Sequence, residues 1–193
     1  MVHEPYSDMQ RAAIAKALRE RRTVHEFTAD TVPDALIDAA LDSARWAPNH
    51  HRTEPWRVYL LGPHAQRAII ELNTALVATD RGERAAAVKR ERWLAMPGWL
   101  VMTTPLNAAD AEREREDYAA CCCAAQNLML ALWADGVGVK WTTGDVVRTR
   151  EFAALVGFDR AVERVVGLFW YGWPATVIEQ QRRPVSRFVT RVA

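Results

Sequence analysis

Between Asp117 and Ala134 the chain is apolar nearly all round. A helix without a polar face has no side to turn toward water, so it must be covered everywhere. Its own sheet can cover part of it. A second subunit can cover the rest, because the small residues Ala119, Ala120 and Cys121 to Ala125 let another helix approach closely. Gln126 and Asn127 interrupt the run, and Asp135 and Gly136 close it. It is therefore too short and too polar to span a bilayer.

Helices and strands interleave around this segment. Ser7 or Asp8 can cap a first helix, with Met9, Ala13, Ile14, Ala17 and Leu18 at helical spacing. Thr23 to Phe27 reads as extended. Pro33 and Asp34 open a second helix with Leu36, Ile37, Ala40, Leu41 and Ala44 on one face, ending before Pro48. Strands are expected at Trp56 to Leu61, Trp99 to Thr104, Val139 to Trp141 and Val165 to Trp173. A charged helical excursion over residues 64–96, broken near Gly82, is expected to lie on the surface. Asn107 to Glu116 reads as a polar connection rich in alternating charge that starts a solvated helix, and Thr149 to Gly157 as a further helix. The 193 residues suffice for one core. A single α+β domain over residues 1–193 is expected, with a C-terminal arm over 175–193.

Charge and cysteine usage narrow the class. The 25 basic and 24 acidic residues leave a formal charge of +1, so no global field recruits nucleic acid or acidic lipid. Only Lys16, Lys89 and Lys140 are lysines; the other 22 cations are arginines, whose planar forks suit phosphate. Three consecutive cysteines, Cys121 to Cys123, form no disulfide framework, and on an apolar helix they read as packing. The polar stretch from Met1 to Asp8 lacks the apolar core of a signal peptide, so a soluble, cytoplasmic protein is expected.

Three stretches could carry chemistry. Arg21-Arg22-Thr23 offers two guanidinium forks and a hydroxyl; it is either a phosphate cluster or a solvated helix end whose cations suit the dipole. Ala47 to Trp56 is a polar loop between two prolines, suited to binding. Its adjacent His50 and His51 diverge if the loop is extended, so no metal is expected there. Lys140 to Asp145 ends a strand with hydroxyls and a glycine. Its backbone N–H groups could meet a ring heteroatom, or it is a plain turn with Asp145 or Thr149 as cap. No G-x-G-x-x-G, Walker or G-x-S-x-G pattern occurs.

In this order the pieces resemble the FMN-dependent nitroreductase family. Arg21 to Phe27 is similar to its R-R-[ST]-x-[RK]-x-[FY] opening, and Ala47 to Trp56 to its A-P-[ST]-x-x-N-x-Q-P-W loop. Asp117 to Ala134 resembles its interface helix, Trp141 to Gly144 its flavin-ring loop, and Val165 to Pro174 its closing strand. The loop departs from the pattern at Asn49, Arg52 and Glu54, where Ser, Asn and Gln are frequent. The resemblance implies a three-layer α/β/α fold with a central mixed, mostly antiparallel sheet, in a domain-swapped homodimer with FMN at the subunit interface. It implies that Arg21, Arg22, Thr23 and Arg183 hold the phosphate, that His25 sits near the ring's pyrimidine edge, and that Trp141, Thr142, Thr143 and Gly144 line the flavin. Pro48, Asn49, His50 and Arg52 would come from the other subunit. The implied activity is electron transfer from NADH or NADPH through FMN to a nitro compound, quinone or activated alkene by a ping-pong mechanism. No side-chain acid is compulsory, because the cofactor carries the chemistry. The alternative is a flavin-binding or flavin-sequestering protein without catalysis.

Overall fold

The computed structural model describes residues 4–192; residues 1–3 of the polar N-terminus and residue 193 of the expected arm lie outside them. Helix α1 (Asp8–Glu20) starts in a reciprocal cap. The Ser7 hydroxyl accepts from the Gln10 N–H, and the Gln10 side chain accepts from the Ser7 N–H. Helix α2 (Asp34–Ala44) turns Ile37, Ala40 and Ala44 inward. Then come strand β1 (Arg57–Leu60), helices α3 (Pro63–Arg81) and α4 (Glu83–Leu94), and strand β2 (Gly98–Pro105). The chain continues through helix α5 (Ala111–Ala134), strand β3 (Gly138–Thr142), helix α6 (Arg150–Val156) and strand β4 (Glu163–Gly172).

The strands form one sheet in the order β1-β2-β4-β3, with every neighbouring pair antiparallel. The parallel component expected of a mixed sheet is confined to one bridge, Thr23 to Val139. Alternation along the strands divides the core in two. Leu100 and Met102 of β2 and Phe169 of β4 face α2 and α5, where Leu128 and Leu132 close over them. Trp99 and Val101 of β2, with Leu168 and Trp170 of β4, face α3, α4 and α6. The fold is α+β, in three layers with helices on both faces of the sheet.

The helical excursion does more than cover the surface. Ile69, Ile70 and Trp93 are buried, and Trp93, Trp99 and Trp170 meet edge to face with centroids 5.0–5.5 Å apart. Such pairs gain from ring quadrupoles as well as from buried area. Three of the eight tryptophans therefore knit the excursion to the sheet.

Helix α5 begins earlier than its apolar run. Asp110 caps it by accepting from the Arg113 N–H, and the Glu112–Arg115 pair supports the charged first turns. Cys121, Ala124, Ala125, Leu128 and Leu132 are buried, but Ala119 and Cys123 are exposed and Leu130 is half-buried. One face of the helix is thus left open in a single chain. Helix α1 is similar: none of its residues is buried, and Met9, Ile14 and Leu18 are exposed. Among the described residues, no helix is long and apolar enough to cross a membrane.

Candidate active site

Arg21 ends α1, its backbone N–H donating to the Ala17 carbonyl. The chain then extends, and the Val24 N–H donates to the Val139 carbonyl at 3.2 Å, which lays the segment along the free edge of β3. Val24 is buried against Gly138, where a Cβ would lie 2.4 Å from Val24 Cγ2; only glycine permits that approach. Past Val24 the segment crosses to the exit of β4, bridging Phe27 to Pro174.

This path leaves a cationic cluster. Burial and then the neighbouring guanidiniums of Arg22 and Arg182 hold the pKa of Arg21 below the usual arginine value. Among the described residues, no carboxylate pairs with any of the three, and the Arg21 side chain makes no hydrogen bond. Arg22 has two roles: its Nη1 donates to the carbonyls of Arg19 and Arg21, closing the helix end, and its Nη2 donates to the Gln180 carbonyl at 3.5 Å. The tail cation brought to Arg21 is Arg182. Arg183, expected to hold the phosphate, is exposed, and its side chain makes no hydrogen bond or ion pair among the described residues. Grouped guanidiniums without a counter-charge suit an anion.

The other end of β3 carries Thr142, Thr143 and Gly144. From Val139 to Thr142 the strand advances about 10 Å at roughly 3.3 Å per residue. The side chains of Thr23, His25, Thr142 and Thr143 make no hydrogen bond among the described residues, so their polar groups are available to a ligand. Trp141 is committed elsewhere. Its Nε1 donates to the Val166 carbonyl at 3.0 Å, and its ring packs on Phe169 with centroids 5.1 Å apart. The half-buried indole is therefore part of the sheet's packing, while Thr143 and Gly144 beyond it are exposed. Thr143 lines a cavity of about 700 Å³ with Tyr118, Arg148, Arg164 and Val166. Thr149 caps α6, accepting from the Phe152 N–H.

The loop from Ala47 to Trp56 lies elsewhere. Asn49 Oδ1 accepts from the Glu54 N–H at 2.7 Å, Asn49 Nδ2 donates to Thr53 Oγ1, and Thr53 Oγ1 donates to buried Asp117. The loop is thereby fixed to the N-terminal half of α5. Trp133 and Ala134, at the other end of that helix, meet α1 near the arginines. Asp117 and Ala134 are about 26 Å apart along the axis at ~1.5 Å per residue. One chain therefore does not bring Pro48, Asn49, His50 and Arg52 to the Arg21 cluster.

The expectation that His50 and His51 diverge is overturned. Residues 50–52 form a 3-10 turn, and His51 adopts φ 63° and ψ 0°. Their rings lie 3.8 Å apart, and both face Glu116 of α5. Arg52 and Glu54 also take positive φ, and none of the three positions is a glycine. Periodicity and spacing carry no sign of such a turn.

Residues 18–173 match the nitroreductase family. The chain belongs to that family. It is similar to YfhC of Bacillus subtilis (strain 168), 27% identical over 183 residues that cover 92% of this chain and 93% of YfhC. Among solved structures it resembles the nitroreductase-like family protein from Bacillus cereus, with a TM-score of 0.81 and 28% identity over 99% of both chains. The fold is also that of the FMN-dependent nitroreductase NfnB from Mycobacterium smegmatis, solved with NADPH: TM-score 0.79 and 17% identity, over 95% of this chain and all of that one. Arg21, Arg22, the β3 edge and the polar loop lie within the matched span, and Arg182 lies beyond its end.

Proposed function

We propose that the chain is an FMN-dependent NAD(P)H oxidoreductase acting on small oxidised acceptors. The observation that carries this reading is Arg21: half-buried, flanked by Arg22 and Arg182, and without a carboxylate partner among the described residues. A phosphate monoester supplies the missing charge and accepts from several guanidinium N–H groups at once. The cluster stands at one end of β3 and the free Thr142 and Thr143 hydroxyls at the other, a separation that suits an elongated ligand with an anionic end, such as FMN. Family membership and relatives named for NAD(P)H or FMN support the same choice.

The chemistry FMN supplies when bound is a two-electron relay from NADH or NADPH to a nitro compound, quinone or activated alkene, in alternating half-reactions. The chain's own residues bind and orient. Arg21, Arg22 and Arg182 hold the phosphate, with the Thr23 hydroxyl as a short donor. Arg183 lies one residue from Arg182 and contributes charge rather than direct contact. Backbone N–H groups of Thr143 and Gly144, and the side chain of His25, meet the ring. Trp141 sets the position of that backbone through its anchorage on β4. Pro48, Asn49, His50 and Arg52 come from a second copy, because one chain keeps them distant from the arginines.

The open face of α5 and the exposed apolar residues of α1 are covered in the same homodimer. So are Val177, Ile178, Val185 and Phe188, which are exposed along the C-terminal arm. We read residues 1–193 as one domain whose 64–96 excursion, built into one face of the sheet, borders substrate access. A cytoplasmic location accords with this chemistry. The test is cofactor retention: the purified chain carries oxidised FMN at close to one per chain, and Arg21→Ala loses it. A colourless protein that ignores added FMN contradicts the reading.

A further inference from the structure

His50 Nδ1 lies 3.0 Å from both carboxylate oxygens of Glu116, and His51 Nε2 lies 3.4 Å from one of them. One ligating atom from each of the three residues can be chosen so that all lie within 4.8 Å of one another. A tetrahedral ion with bonds of about 2.0–2.1 Å holds its donor atoms about 3.3–3.4 Å apart. The two nitrogen-to-oxygen separations are already at that scale, and only the second imidazole has to close in.

Adjacent residues rarely offer two imidazoles to one point. Here the left-handed backbone at His51 turns its ring alongside that of His50. The turn is held from outside: Asn49 accepts the Glu54 N–H, and Thr53 is tied to Asp117, one residue from Glu116. Loop and helix are thus fixed relative to one another before any ion arrives, which lowers the ordering cost of binding. Arg115, a possible competitor for Glu116, is directed to Glu112 at 3.4 Å.

We propose that His50, His51 and Glu116 bind one divalent zinc-class ion, the histidines through Nδ1 and Nε2 and the glutamate through a carboxylate oxygen. Two imidazoles and one carboxylate suit zinc or a neighbouring first-row ion better than magnesium or calcium, which prefer all-oxygen shells. The same donor set leaves a coordination position open. The ion pins the α2–β1 loop to α5, adding a metal link to the polar one made by Thr53 and Asp117. The assignment stands on the geometry of these three residues; because the proposed function also places His50 beside the second copy's flavin, metal binding is measured with and without FMN.

The experiment uses tag-free full-length protein, stripped with a chelator and titrated with Zn²⁺ against a chromophoric competitor, with and without added FMN. Binding of one Zn²⁺ per chain is expected, weakened about tenfold or more by Glu116→Gln and by His51→Ala. Co²⁺ in place of Zn²⁺ should give the intense visible bands of four-coordinate cobalt. His51 is exposed and Glu116 half-buried, and a thermal melt of each metal-free variant verifies its fold. Absence of binding, or affinity unchanged in either folded variant, overturns the proposal. FMN retention, read on the same samples before metal is added, tests the cofactor reading separately.

Discussion

Trp141 packs over the bare Cα of Gly167: a Cβ there would lie 2.2 Å from Trp141 Nε1 and 2.9 Å from Phe169 Cε2. The glycine is what lets the indole reach the Val166 carbonyl and hold the end of β3 in place. Gly167→Ala should therefore displace the ring and lower stability by about 1–3 kcal/mol, the usual range for an overpacked core. Thermal melts check this. Adding Trp141→Ala should recover part of the loss, because the two positions are in contact and their effects are not additive.

Arg21 and Arg182 separate the tail cations. In the absence of an anion their charges repel, so Arg182→Ala should leave the melting temperature of the FMN-free protein unchanged or raised. With FMN the sign reverses. A lost charge-assisted hydrogen bond, about 1.5–3 kcal/mol, weakens FMN by about tenfold to a hundredfold. Arg183→Ala should have a smaller effect. Flavin fluorescence titrations compare the two variants.

Burial pushes the Cys121 thiol up to about 11, whereas Cys123 is exposed on the open face of α5. Because the folded thiol titrates above its unfolded value, the stability linked to Cys121 is complete below the ordinary thiol range and is lost as pH rises toward about 11. At mildly alkaline pH Cys121 should resist alkylation, since the thiolate is the nucleophile. In the proposed homodimer Cys123 is covered, so native protein should label slowly there and unfolded protein at all three cysteines. Rapid native labelling of Cys123 would mean that the α5 face is open and the homodimer is wrong.

Asn49 organises the loop through the Glu54 N–H and Thr53. Asn49→Ala removes the acceptor of that exposed N–H and should cost about 0.5–1.5 kcal/mol, read from urea unfolding. In the proposed homodimer FMN affinity should fall with it, because this loop is the second copy's proposed share of the pocket.

Much of the architecture was legible in the sequence because hydrophobic periodicity reports it. Ile37, Ala40 and Ala44 on α2, and the apolar runs of β2 and β4, face the core as their spacing predicts. The all-round apolar helix signalled a covering that one chain supplies only in part. The charged start of α5 was legible as a solvated helix start, although its turns contain no apolar stripe and are stabilised by Asp110 and the Glu112–Arg115 pair. The excursion's contribution to the core was hidden because Trp93 is the last large anchor of a mostly charged helix. At the site, arginines and hydroxyls were visible as residue types. Which tail arginine reaches Arg21 depends on the path of an extended segment that has no periodicity. The convergence of His50 and His51 rests on left-handed backbone at non-glycine residues and on tertiary ties to α5, neither of which spacing can express.

The most direct test of the central claim is anaerobic titration of the FMN-loaded protein with NADH and with NADPH, followed by a quinone or nitroarene. At least one nicotinamide should bleach the bound flavin, the acceptor should restore its colour, and steady-state turnover should follow a ping-pong pattern. Flavin that stays bound but is bleached by neither nicotinamide would contradict that claim and leave a binding protein on this fold.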